Sequence, residues 1–186
     1  DRIIRFRYAT PMFGPLQVSA SAGSDQRYSV ALTYGGDYDH WTGVELGGFT
    51  TLGALAIADP NEAGVDYRWS GSWSMLHNDT GLSLTVSSGL DSGTEGDTPY
   101  NLYGKIGWDT RLLRFGPTGF GFDYTYTENV TAERDHREPF GVAAVQVFER
   151  FGIELYSQLR WLSLDRGTGP DFEDILVFTN GTRVRF

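Results

Sequence analysis

The residues of this sequence that could do chemistry are charged side chains spaced two apart, rather than nucleophiles or metal ligands. Arg5 and Arg7 alternate with apolar neighbours, so on an extended strand both guanidinium groups point to one face. Other charged residues also take the polar positions of their segments: Arg27, Glu45, Asp66, Arg68, Lys105, Asp123, Glu154, Arg160, Arg183 and Arg185. Such an array produces an electrostatic field along a surface, and that field can bind and orient charged or polar solutes.

Residue types that carry catalysis or bind metals are scarce. The chain has no Cys and only three widely spaced His (His40, His77 and His136), so neither a thiolate site nor a multi-histidine zinc site is expected. No G-x-S-x-G motif marks a nucleophile. The acidic residues 91–97 lack the spacing and the closing Glu of an EF-hand loop. The sequence therefore predicts no enzyme, no cofactor and no metal.

Length and charge narrow the class of protein. The 186 residues predict a single domain over 1–186. Acidic residues number 24 against 15 basic ones, and the net charge of -9 argues against nucleic-acid binding, which needs clustered cations. The mean hydropathy is -0.31, and no run of about 18 apolar residues predicts a transmembrane helix. That test does not cover transmembrane β-barrels, whose alternating strands average out in hydropathy.

The elements that position the charged residues are predicted to be strands, because apolar and small polar residues alternate along the chain. Residues 16–22, 28–34 and 82–87 show this alternation clearly, and no capped stretch of ten residues has a helical period. The pattern predicts eleven strands, at 2–9, 15–23, 27–36, 41–57, 64–76, 80–89, 99–110, 115–128, 139–149, 152–164 and 172–186.

The links between these strands alternate in character. Short turns are predicted at residues 10–14, 36–39, 77–81, 114–117 and 149–152. Acidic or polar loops are predicted at residues 59–62, 91–97, 129–138 and 165–171. Short turns at one end and polar loops at the other are typical of an antiparallel up-and-down β-barrel in an outer membrane.

The two faces of the predicted strands differ in composition. The polar face consists of Ser, Thr, Gly and dispersed charges, which suits the wall of a water-filled lumen. Aromatic rings near strand ends suit the two lipid interfaces. The apolar face carries Trp69, Trp73, Trp108, Trp161, Tyr124, Tyr126 and Phe178.

Four segments then carry a resemblance to a known family. They are residues 5–14 (RFRYATPMFG), 28–39 (YSVALTYGGDYD), 103–108 with 116–120, and 163–186. Together they resemble a Gram-negative general porin of the alphaproteobacterial kind, from end to end and in the expected order. The resemblance implies a homotrimeric channel in the bacterial outer membrane for small hydrophilic solutes and ions. It also implies contact with outer-membrane lipid and lipopolysaccharide.

The resemblance implies a barrel of sixteen strands, five more than the sequence predicts. Single-chain bacterial barrels have an even number of strands, so we expect residues 1–186 to be the C-terminal part of a longer barrel chain. By analogy with the family, the missing part would include the third extracellular loop, which supplies the acidic half of the constriction. The strand with Arg5 and Arg7 would follow that loop, so the resemblance implies that both arginines face the constriction.

Two alternatives to a channel stay open. An outer-membrane barrel enzyme would need a nucleophile or paired carboxylates at one rim. A soluble carbohydrate-binding β-sandwich would use Trp69, Trp73 and Trp161 as sugar platforms, and it would purify without detergent. For subunit contact in a trimer, small residues such as Gly48 and Ala54 are candidates.

Overall fold

The strands lie close to their predicted positions. The computed structural model describes residues 4–24, 26–41, 44–61, 63–93, 98–130, 134–167 and 172–185. The strands are β1 (Arg5–Ala9), β2 (Leu16–Gly23), β3 (Tyr28–Trp41), β4 (Val44–Asp59), β5 (Tyr67–His77), β6 (Leu82–Ser92), β7 (Tyr100–Leu113), β8 (Gly116–Glu128), β9 (His136–Arg137), β10 (Phe140–Phe148), β11 (Ile153–Leu162) and β12 (Ile175–Val184).

These strands form one antiparallel sheet in up-and-down order. Eleven of them, β1 to β8 and β10 to β12, lie side by side in chain order. The two-residue β9 pairs with β8 off this path, inside the predicted polar loop 129–138. Each predicted strand overlaps one strand of the path, so the all-β, up-and-down prediction is confirmed. Within the described residues no pairing joins β1 to β12, so each has one unpaired edge.

The links at the two ends of the sheet differ in length, and we name the two ends the turn end and the loop end. The turn end holds the links after β1, β3, β5, β7 and β10, and the loop end holds the links after β2, β4, β6, β8 and β11. At the turn end, Gly81 and Gly152 take positive φ angles of 71° and 61°, which glycine adopts without steric cost. Gly152 closes a single 3-10 turn, Glu149–Phe151, at the predicted link after β10.

The turn predicted at residues 36–39 is wrong. Strand β3 runs through this segment to Trp41, and Gly36 and Asp37 pair with Thr51 and Thr50 of β4. The Asp37 carboxylate accepts a hydrogen bond of 2.6 Å from Thr50 Oγ1, so an acidic residue typical of turns is held in the ladder. The pairing register between β3 and β4 shifts after Tyr38, so the ladder is irregular there instead of ending in a turn.

The large apolar side chains of this sheet are exposed. No apolar residue in the described part of the chain is buried, and Phe6 and Phe178 are 77% and 64% exposed. Apart from Pro60 and three glycines, the buried residues of the described chain are polar or charged: Ser19, Thr118, Asp123 and Asp135. Large apolar side chains normally fill the interior of a folded protein, so the apolar face of this sheet lacks a covering layer within the described residues.

Register defines the two faces of the sheet. The polar face carries Arg5, Ser21, Ser29, Ala58 and Arg68 in one row of paired or diagonal positions across β1 to β5. The apolar face carries the residues between them, and its aromatic rings contact one another across strands, two pairs stacked and one tilted. These ring pairs are Trp108–Phe120 at 6.1 Å, Phe140–Trp161 at 6.3 Å and Tyr100–Tyr126 at 6.5 Å. None of the described residues forms a helix long and apolar enough to cross a membrane.

Candidate functional site

The candidate site is the polar face, where most of the predicted charged residues meet. Strand alternation and register place them there, because residues directly opposite in an antiparallel pair share a face. Lys105 lies opposite Asp123, Arg68 opposite Asp91, and Glu154 opposite Arg183.

Two arginines of β1 are held by hydroxyl groups. Arg5 donates to Ser21 Oγ at 3.0 and 2.6 Å and to Ser29 Oγ at 3.0 Å. Arg7 Nη2 donates to Ser19 Oγ at 3.4 Å. Among the described residues no carboxylate pairs with either guanidinium. Both side chains are therefore oriented by neutral partners, and no ion pair with another described residue offsets their positive charge.

Three further arginines, Arg68, Arg183 and Arg185, pair with carboxylates. Arg68 makes a two-point contact with Asp91, Nε to Oδ1 and Nη2 to Oδ2, each at 2.6 Å. Glu154 accepts from Arg185 at 3.0 Å and pairs with Arg183 at 3.5 Å at the turn end. These two-point and shared pairs have the geometry of strong guanidinium recognition. They join neighbouring strands; the Arg68–Asp91 pair is neutral, and the Glu154 group keeps one positive charge.

A third pair joins strands that are not adjacent. Arg160 of β11 contacts the buried carboxylate of Asp123 on β8, and Gly141 of β10 lies between them in the register. A Cβ on Gly141 would lie 2.9 Å from Asp123 Oδ2 and 3.2 Å from Arg160 Nε. The pair thus depends on a residue without a side chain at this position. The Lys105 stem also lies close by, since a Cβ on Gly121 would be 3.4 Å from its ε carbon.

Three predicted residues surround a cavity at the loop end. Arg5, Arg27 and Arg68 line a space of about 350 Å³, together with Asp59. Asp66 precedes β5 and is exposed. Glu45 lies in β4, and its side chain is outside the described part of the structure.

Asp91 is a site residue that the sequence predictions placed wrongly. It was expected in the acidic loop 91–97, but it lies within β6 and pairs with Arg68. The short link after β5 could have placed Asp91 correctly. Leu76 pairs with Ser83 next to that link, and counting outward along both strands from this pair puts Asp91 opposite Arg68.

No group of three or more His, Asp or Glu residues able to hold a metal ion occurs among the described residues. Comparisons with protein-family models, with curated proteins and with solved structures found no match. The functional argument therefore depends on the geometry of the sheet.

Proposed function

We propose that this chain forms part of the wall of an outer-membrane channel for passive diffusion of small hydrophilic solutes and ions. The observation that carries the proposal is the large, exposed apolar face opposite a face of charges and hydroxyls. A sheet whose large apolar side chains are exposed on one face, with charges and hydroxyls on the other, suits lipid outside and water inside. The resemblance of four segments to general porins agrees with it.

The aromatic residues of the apolar face fit a lipid belt. Tyr100 begins β7 and Trp108 lies eight residues further along it, which is about 27 Å along a strand at about 3.4 Å per residue. With a strand tilt of about 40°, this separation approaches the apolar band of an outer-membrane barrel, about 25 Å tall. The Trp108 indole N–H donates to the Thr80 carbonyl at 3.1 Å. An indole ring at the boundary between apolar and polar surroundings needs such a partner for its N–H.

Closure of the barrel is a further part of the proposal. The free edges of β1 and β12 would leave backbone N–H and C=O groups unpaired in lipid, at a cost of several kcal/mol per group. We propose that five more strands complete a sixteen-stranded barrel, as the resemblance implies. The polar face then surrounds the lumen.

Arg5 and Arg7 are the residues proposed to set ion preference. Passive diffusion needs a hydrated lumen, a diameter and a field, rather than a reaction. Arg68, Arg160, Arg183 and Arg185 share three carboxylates, which leaves one positive charge among the four, whereas the two β1 arginines contact hydroxyls. The field inside the proposed channel should thus depend more on β1 than on the other arginines.

Arg5→Gln and Arg7→Gln should each lower the chloride-to-potassium permeability ratio by up to about fivefold, because unit charges about 4 Å apart in water interact by about 1 kcal/mol. The measurement is the reversal potential of the full barrel in a planar bilayer under a KCl gradient near 0.1 M. At 1 M the effect should largely vanish, since the Debye length falls from about 10 Å to about 3 Å.

Arg150→Gln is the matched control. It removes the same charge from the turn after β10, where Arg150 lies over the Phe151 ring at 5.9 Å. Equal reversal potentials for all three variants would contradict the role of β1. A protein that is soluble without detergent and shows no conductance would overturn the channel itself.

A homotrimer is also proposed, and two polar residues suggest where subunits meet. Ser157 and Asn180 lie directly opposite each other, midway along β11 and β12 on the apolar face. Neither side chain hydrogen-bonds to another described residue. Polar groups facing lipid without partners are costly, so this position favours contact with a neighbouring subunit. Ala54, a predicted contact residue, instead shares the polar face with Ser72.

Asn180→Leu should weaken the trimer by roughly two- to tenfold in association constant, as expected for losing a hydrogen bond worth about 0.5–1.5 kcal/mol. Sedimentation in detergent measures the change. Ser88→Leu is the control, because Ser88 is an isolated polar residue on the apolar face of β6, opposite Gly71 and Leu102. An unchanged trimer in Asn180→Leu would place the subunit contact elsewhere.

Neither alternative gains support from a specific observation. A carbohydrate-binding sandwich needs two facing sheets with apolar residues between them, whereas the described strands form one sheet with its apolar residues exposed. The paired carboxylates or activated nucleophile of a barrel enzyme do not occur together on the described polar face. Three carboxylates of this face, Asp91, Asp123 and Glu154, are each paired with arginine, and Asp37 accepts from the Thr50 hydroxyl.

A further inference from the structure

An open cavity lies on the polar face across β4 to β7. Its volume is about 340 Å³, which is within the range of about 300–1,000 Å³ usual for small-molecule pockets. Four uncharged polar side chains line the cavity: Ser70, Ser72, Ser87 and Asn101. We call this cavity the Ser–Asn hollow.

The pairing register explains why these side chains come together. Two neighbouring rows of the ladder cross β4, β5, β6 and β7. One row is Ala54, Ser72, Ser87 and Tyr103, and the other is Ala56, Ser70, Gly89 and Asn101. Rows on one face are two residues apart, or about 7 Å, and neighbouring strands lie about 4.8 Å apart. The four polar groups therefore span an area of about 7 by 10 Å.

The hydrogen-bonding groups of the Ser–Asn hollow have no partner among the described residues. None of the four polar side chains donates to or accepts from another described residue. Elsewhere on the same face hydroxyls bond to each other, Ser74 to Thr85 at 3.0 Å and Ser21 to Ser29 at 2.7 Å. Hydroxyl and carboxamide groups each offer donors and acceptors, so the hollow presents several of both to a solute.

The rest of the lining is small. Ala54 and Ala56 occupy the β4 ends of the two rows, and Gly89 lies between Ser70 and Asn101. A Cβ on Gly89 would lie 2.7 Å from Asn101 Oδ1, so the carboxamide lies across the glycine. Two methyl groups beside unpartnered hydroxyls suit a ring that has an apolar C–H face and polar groups around its edge.

None of the residues that line the Ser–Asn hollow is charged. In the next row toward the loop end, Arg68 and Asp91 neutralise each other through a two-point contact. In the next row toward the turn end, the bonded Ser74 and Thr85 separate the hollow from Lys105. An ion entering the hollow would lose water without meeting a counter-charge. An uncharged solute rich in hydroxyl groups would exchange one set of hydrogen bonds for another.

We propose that the Ser–Asn hollow is a weak binding site for one uncharged sugar ring. The sugar hydroxyls bond to the three serines and to Asn101, and the C–H face of the ring lies against Ala54 and Ala56. The inference rests on the proposed function, because the channel brings the sugar to a site on its own wall. It narrows the class of solute from small hydrophilic molecules in general to neutral sugars.

Binding of D-glucose to the whole chain tests the site, in a zwitterionic detergent that has no sugar headgroup. Titration followed by saturation-transfer NMR gives the dissociation constant. Ser72→Ala and Asn101→Leu should each raise it by about two- to tenfold, as expected for the loss of one hydrogen bond. Gly89→Ala should raise it as well, because the added Cβ displaces the Asn101 carboxamide.

Ser74→Ala is the matched control. Ser74 lies on the same strand and face as Ser72, but its hydroxyl is already bonded to Thr85, so the dissociation constant should stay unchanged. Tetrahydropyran, the same ring without hydroxyl groups, should not bind. Glucosamine and glucuronate, charged relatives of glucose, should bind more weakly than glucose because the hollow offers no counter-charge.

The outcomes separate the site from the channel. Absence of glucose binding, or equal affinities in the unaltered chain, Ser72→Ala and Asn101→Leu, would overturn the site and mean that these groups only hydrate the wall. Tighter binding of either charged relative would overturn the assignment to a neutral sugar. Glucose binding that depends on Ser72 and Asn101, in a chain without conductance, would contradict only the channel.

Discussion

Ala144→Arg should destabilise the folded sheet in a lipid bilayer by about 2–4 kcal/mol, the cost of a lipid-facing arginine near the midplane of a barrel. Ala143→Arg should cost about 0.5 kcal/mol, as for an ordinary surface substitution. The two residues are adjacent, identical in type and near the middle of β10. Ala144 pairs with Phe120 and Ser157 on the apolar face, and Ala143 pairs with Gly121 and Gln158 on the polar face.

Comparing the two variants tests what surrounds each face of the sheet. Strand propensity, chain position and added charge are the same in both variants, so only the face differs. The free energy of unfolding, obtained by denaturant titration in lipid vesicles, measures both costs. Similar costs would mean that the two faces meet similar surroundings, and the proposed lipid and lumen assignment would be wrong. A larger cost at Ala143 would reverse the faces.

The order of the strands could be predicted because its determinants are local. Alternation with a period of two identifies a strand and its faces without knowledge of its partners. Glycines such as Gly81 and Gly152 mark the links that require positive φ. The wrong turn at residues 36–39 had the right composition for a turn. Pairing with Thr50 and Thr51 of β4 decided the outcome, and composition does not report pairing.

The faces of the charged residues could also be predicted, but their partners only in part. Alternation along each strand predicts Arg5, Arg7 and Lys105 on the polar face, and the pairing register puts them on that face as well. The partnership of Arg68 with Asp91 could have been found by counting from the turn, because the two strands form one hairpin. The Asp123–Arg160 pair could not, because it crosses β10 and requires the sheet order as well as a glycine at 141.

The pore-lining role of these residues stays a prediction. Register shows that they share a face, but a lumen also requires the opposite wall. What the structure adds is a division among the arginines that sequence does not contain. Those of β5, β11 and β12 have carboxylate partners, whereas Arg5 and Arg7 of β1 have hydroxyl partners. Ion preference is accordingly expected to respond to β1 first.

Gly81→Ala should lower the free energy of unfolding by about 2–5 kcal/mol, the sum of about 1–2 for a left-handed residue and about 1–3 for overpacking. Gly81 has a φ of 71°, its N–H donates to the His77 carbonyl, and its carbonyl accepts from the Asp109 N–H, both at 2.9 Å. An added Cβ would overlap the Asp109 carbonyl oxygen and lie 2.9 Å from its carbon. Backbone cannot rotate away as a side chain can, so β7 must move off the turn.

Two further glycines separate these contributions. Gly14 has a φ of 61°, and nothing lies within 4 Å of a Cβ added there. Gly14→Ala should therefore lower the free energy of unfolding by about 1–2 kcal/mol, from backbone conformation alone. Gly104→Ala has open space and an ordinary φ, so it provides the baseline for the change in residue type. If Gly81→Ala costs no more than Gly14→Ala, the turn after β5 is not packed against β7. A cost well above that of Gly14→Ala means that the turn carries tertiary contacts, and that the hairpin register setting Asp91 opposite Arg68 is anchored there.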